Sequence, residues 1–116
     1  MPHNSEKLIA DLALACEDIG QFCEGRTHED FAGDRLLQAG VERKLEIVGE
    51  ALNRLYQLDA EWLEDNIPKY RRIIGLRNVI AHGYDVVDYD ILWDVAQNHV
   101  PELRKTLDSL LRSPPL

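Results

Sequence analysis

Arg77, Asn78, His82 and Tyr84 gather a guanidinium, an amide, an imidazole and a phenol within one short stretch of the chain. A guanidinium is a permanent cation whose planar fork matches phosphate oxygens. An imidazole changes protonation near neutral pH and can move a proton as base or acid. Such a set suits cleavage of RNA, where the substrate's own 2′-hydroxyl is the nucleophile. No metal and no cofactor is expected. The residues lie in the run Gly75-Leu-Arg-Asn-Val-Ile-Ala-His-Gly-Tyr-Asp-Val-Val-Asp88. Asn78 and His82 are four apart and share a helix face; Arg77 lies about 100° round. Gly83 reads as the helix stop, which lets His82 swing toward Arg77 and puts Tyr84 on the same rim. A blander reading stays open on the residues alone. A histidine in a last helical turn suits the helix dipole, an asparagine satisfies local backbone groups, and Arg77 has 21 acidic residues to pair with.

The elements that must position this set read as helical throughout. A first helix carries Leu8, Leu12, Ala15, Ile19 and Phe22 as its stripe, with Ser5 as N-cap and Gly25 as stop. Arg26 to Gly33 is polar and reads as a loop, with Thr27, His28 and Asp30 as solvated turn residues. A second helix is expected from about Asp34 to Gln57. Its stripe is Val41, Leu45, Val48, Leu52 and Leu55, widened by Leu37, Ile47, Ala51 and Leu58. A face that broad suits burial against the bundle and against a second subunit. Asp59 caps a short helix over Ala60 to Asp65. Pro68 suits the first turn of a third helix whose apolar side is Ile73, Leu76 and Ile80. Asp88 caps a fourth, with Ile91, Leu92, Val95 and Ala96. Pro101 kinks that helix or starts a fifth. Pro114 and Pro115 end the ordered chain.

The fold expected is therefore all-α, a single helical domain over 1–116 with its core at about 5–112. The chain has 116 residues, 45% of them apolar, which is enough for a core. No window has the roughly 18 apolar residues of a membrane span. The first residues lack the regions of a signal peptide, so the expected compartment is the cytoplasm. Cys16 and Cys23 lie about 10.5 Å apart along one helix, too far for a mutual disulfide. They read as buried thiols. A net charge of −8 argues against a general nucleic-acid coat, and no DNA partner is expected. It leaves room for a local positive cluster such as Lys69, Arg71, Arg72 and Arg77. Glu46 and Glu50, near Lys44 and Arg54, read as a solvated ion-pair face, and His99, Trp62 and Trp93 as packing residues.

The segment Arg77-Asn-Val-Ile-Ala-His82-Gly-Tyr84 resembles the Arg-x4-His-x-Tyr motif of HepT-like toxins in the HEPN superfamily. Val41-Glu-Arg-Lys-Leu-Glu-Ile-Val-Gly-Glu-Ala51 is similar to that family's second-helix signature. Val87-Asp-Tyr-Asp-Ile-Leu-Trp93 and Val100-Pro-Glu-Leu103 are similar to its closing helices. The likeness runs from about Leu8 to Leu107, in the family's order. It implies a four- to five-helix bundle that forms a homodimer. It implies a ribonuclease toxin of a type II toxin–antitoxin pair, with a MntA-type minimal nucleotidyltransferase as partner and antitoxin. It places the active site on Arg77 and His82, with Asn78 in support. It makes Tyr84 the residue that the partner modifies with AMP. The alternative is a non-catalytic helical module that docks the nucleotidyltransferase and cuts nothing.

Overall fold

The spacing of Ser5, Ile9, Leu12, Cys16, Ile19 and Cys23 alternates four and three, and these six residues, with Ala15 beside them, form the buried face of α1 (His3–Cys23). In the computed structural model, residues 3–81 and 88–112 are described, with backbone alone at 3–4, 77–81 and 112. The observed stripe keeps Leu12, Ala15 and Ile19 of the expected one and corrects its ends. Leu8 is only half-buried and Phe22 is 37% exposed, while Ile9 and the two cysteines take the core. Ser5 is no N-cap; it lies inside α1 and is buried. Gly25 does end the helix, at φ +73°, the left-handed region that a side chain disfavours.

Arg26 to Gly33 is not a plain loop. It holds α2 (His28–Ala32), started by a capping box. Thr27 Oγ1 accepts from Asp30 N at 3.1 Å, and Asp30 Oδ2 accepts from Thr27 N at 3.0 Å. The bond from the Thr27 backbone, then the one from its side chain, hold the Asp30 carboxyl below the usual carboxylate range. Phe31 is fully buried. Asp34 caps α3 (Arg35–Leu58) by accepting from Leu37 N at 3.0 Å. The α3 stripe of Val41, Leu45, Val48, Leu52 and Leu55 is buried as expected, and Leu58 stays 45% exposed. Buried Gln38 donates from Nε2 to Phe31 O at 2.8 Å and Ala32 O at 3.1 Å, which ties α2 to α3.

α1 and α3 form an antiparallel pair. Asp18 meets Lys44 at 2.9 Å, and further along α1 the Phe22 ring lies over Gly40, earlier in α3, where a Cβ would stand 3.4 Å from it. Asp59 caps α4 (Ala60–Asn66), accepting from Trp62 N at 3.0 Å. Pro68 lies in the turn before α5 (Tyr70–Ala81) and not in its first helical turn. Asp88 caps α6 (Tyr89–Asp94), with Oδ1 accepting from Asp90 N and Ile91 N. A π-helical turn, Val95–His99, then leads into α7 (Val100–Arg112). Val100 N donates to Val95 O, five residues back. Pro101 follows directly, so the irregularity expected at the proline falls just ahead of it.

The described residues are thus an all-α bundle with one continuous core shared by α1, α3, α5 and the α6–α7 helix. Cys16 and Cys23 are free and buried, and burial pushes the Cys16 thiol up to about 12. No helix among the described residues is long and apolar enough to cross a membrane.

Candidate active site at the α5–α6 junction

α5 is held to the bundle from one side. Tyr70 and Ile73 are buried, whereas Arg71, Arg72 and Gly75 are exposed. The Tyr70 ring packs beside Tyr56 of α3, with centroids 5.9 Å apart. Its hydroxyl donates to Glu64 Oε1 at 3.0 Å, which satisfies the polar tip of a buried aromatic. Position 78 follows Gly75 by three and Arg71 by seven, so it falls on the outer face of α5. Position 77 follows buried Ile73 by four and buried Tyr70 by seven, and so continues the register of the core-facing side. Both lie in the final stretch of α5, whose dipole end suits a cation.

The other side of the junction is also fastened. The Asp88 cap fixes the start of α6. His28 Nε2 stands 2.7 Å from Asp90 Oδ1, and the His28 ring meets Trp93 edge-on at 6.2 Å. Phe31 packs on Trp93 at 5.1 Å. α2 is therefore a bracket that holds the start of α6 in place. The polar reading of Arg26 to Gly33 missed this bracket, although Thr27-x-x-Asp30 carried its signal. Trp93 packs, as expected.

α5 brings Arg77 and Asn78 onto one helix. Their side chains, and His82, Gly83 and Tyr84 entirely, lie outside the described residues, as do Ile80 as a packing side chain and the closing prolines. The expected local positive cluster is partly neutralised. Lys69 pairs with Glu102, and Arg71 pairs with Glu64 at 2.7 Å while its Nε donates to the Tyr70 hydroxyl. The Glu46/Glu50 face is the surface ion-pair face expected, with Arg43 on Glu46 and Arg54 on Glu50.

Comparison with known proteins adds a family. Residues 12–110 match the family described as Ribonuclease HepT-like. "Probable ribonuclease HepT" of Thermococcus cleftensis is 32% identical over 110 residues, 95% of this chain and 98% of its own length. "Putative RNase TTE0752" of Caldanaerobacter subterraneus is 33% identical over 97 residues, 84% of this chain and 85% of its own. "Putative RNase MJ1380" of Methanocaldococcus jannaschii is 30% identical over 100 residues, 86% of this chain and 90% of its own. No solved structure matches.

Proposed function

Because the chain belongs to the HepT-like ribonuclease family, we propose that it is a metal-independent endoribonuclease, the toxin of a type II toxin–antitoxin pair. The observation that carries this reading is the Arg77-x4-His82-x-Tyr84 motif in the sequence, whose Arg77 lies on α5, within a chain whose relatives are named as ribonucleases. His82, neutral, takes the proton from an RNA 2′-hydroxyl. The 2′-oxygen attacks the adjacent phosphorus, and Arg77 stabilises the charge on the pentavalent phosphate. Asn78 supports the phosphate from the neighbouring face. A cyclic phosphate and a free 5′-hydroxyl result.

The leaving oxygen also needs a proton, and each chain has one histidine at this helix end. A two-fold homodimer that brings two α5 ends together supplies the second His82. Gly75 supports that arrangement. It is exposed in mid-helix, where glycine costs about 1 kcal/mol against alanine, and a Cβ there meets nothing within 4 Å among the described residues. Its own fold does not explain the glycine; a second helix approaching that face would. Tyr84 is the control point. AMP attached there by a MntA-type nucleotidyltransferase would set a negative phosphodiester and a bulky nucleoside beside Arg77.

The acidic body and the carboxylates on Lys69 and Arg71 favour a second reading, a helical module that docks the nucleotidyltransferase without cutting RNA. Cleavage of RNA by the purified chain, with and without chelator, separates the two. Cleavage that survives EDTA and yields cyclic phosphate ends is expected. Absence of cleavage by the chain freed of its partner would leave the docking module as the function.

A further inference from the structure

A cleft of about 100 Å³ opens where the start of α5 meets the first turns of α7. Ile67, Ile73 and Leu103 form its apolar floor. Lys69, Arg72, His99 and Glu102 are its polar walls. That is room for a group the size of phosphate.

The walls carry more donors than the protein itself uses. Lys69 Nζ pairs with Glu102 Oε1 across the mouth. Arg72 stands one helical turn further along α5 and has no carboxylate within 4 Å among the described residues. The His99 side chain is 13% exposed. Its Nε2 lies 3.6 Å from Asp94 Oδ2, beyond hydrogen-bond reach, and its ring has no hydrogen bond among the described residues. A mostly buried imidazole always has an N–H to place. Two cations and that imidazole line the cleft with one carboxylate, Glu102, while a second, Asp94, stands beside His99 outside the lining. Glu102 reports what these walls do to an anion. Its carboxyl is held below the usual range, first by the Lys69 hydrogen bond and charge, then by His99 and Arg72. The start of α5 adds the positive end of its dipole.

We propose that this cleft is a second phosphate-binding site, in which Arg72 and Lys69 hold the oxygens of a nucleotide phosphate and His99 donates to it. Arg72 precedes Arg77 by five residues, about 7.5 Å of helix rise, and lies on a different face from position 78. An RNA strand reaching both sites must wrap around α5; a free nucleotide need not. The RNA source rests on the ribonuclease reading above, while binding of phosphate itself does not.

The test is NMR of the His99 ring in the full chain, labelled at histidine. Inorganic phosphate, AMP and a short RNA are titrated in turn, the RNA on the His82→Ala chain so that it stays intact. His99 is expected to shift and saturate with phosphate and AMP. Arg72→Gln should weaken binding about tenfold, the loss of one charge-assisted contact. Glu102→Gln should tighten it about fivefold by removing a like charge from the cleft. Both positions are exposed, and equal thermal melts confirm that the variants fold. A saturating shift with RNA as well assigns the site to backbone phosphate; shifts with phosphate and AMP alone assign it to a free nucleotide. No His99 shift with any probe overturns the proposal, as does binding that neither variant alters. Cleavage is measured separately, so a failed ribonuclease reading leaves the phosphate result standing.

Discussion

The α1–α3 pair and α5 are built on opposite terms. Along α1 and α3, Leu12, Ile19, Val48 and Leu52 have no exposure at all, and the pair is clasped by Lys44–Asp18 and by Phe22 over Gly40. Among its described side chains α5 has the same helical periodicity but inserts Tyr70 and Ile73 fully and Ile74 and Leu76 partly, and shows Arg71, Arg72 and Gly75 to solvent. The first region holds most of the core, and the second carries Arg77 and Asn78 of the proposed site. A lightly packed helix can change its outer residues for chemistry without cost to the core.

The comparison breaks most sharply at His82. His82→Ala is expected to lower RNA cleavage by about 10²–10⁴ while leaving the melting temperature unchanged. Wild-type rates in this variant would remove histidine from the mechanism. Leu52→Ala should do the reverse. Truncating a side chain with no exposure costs about 2–5 kcal/mol in urea unfolding, with activity per folded molecule retained.

A pH titration sharpens the contrast. The Cys16 thiol ionises near 9 in an unfolded chain and near 12 in the folded one. Across that window the unfolded state binds fewer protons, so stability falls as pH rises, by up to about 1.4 kcal/mol per pH unit, and is unaffected below it. Cys16→Ala should flatten that limb relative to wild type. An identical slope in the two proteins would show that Cys16 ionises normally.

Gly75→Ala tests α5 from the outside. The isolated chain should gain about 0.5–1 kcal/mol from helix propensity. Dimerisation, followed by sedimentation, should weaken. A variant that is both more stable and equally dimeric would move the two-fold contact away from this face. The smallest effect belongs to the exposed Glu50–Arg54 pair, where Glu50→Gln should change unfolding free energy by less than about 0.5 kcal/mol.

Much of the scaffold was legible because its signals are local. Asp59 and Asp88 cap the helices that follow them, Gly25 stops α1, and the α3 stripe needed only its spacing. The misses have physical reasons. Leu12, Ala15 and Ile19 of the expected α1 stripe are buried, as are both cysteines, but the stripe's ends fall on Ile9 and Cys23 in place of Leu8 and Phe22, because a small apolar thiol packs like any core residue. α2 hid within polar composition because its stability comes from a capping box and one buried Phe31. At the site, adjacency in sequence gives the shared helix of Arg77 and Asn78. How two histidines would meet in the proposed dimer is a property of two chains, which no spacing within one chain encodes.

The π-helical turn ahead of Pro101 has a consequence for chain length. Val95 and Val100 are both nearly inaccessible, yet five residues apart they would point about 140° from each other on an uninterrupted α-helix. The Val100 N–H to Val95 O bond closes those five residues into one turn and restores the phase. Gln97 and Asn98 on its outer side are exposed and can vary in kind. Their number can fall by one. Deleting either would leave four residues in an ordinary α-helical turn, which keeps Val95 and Val100 about 40° apart and α7, with Leu103 and Leu107, still facing the core that α6 faces.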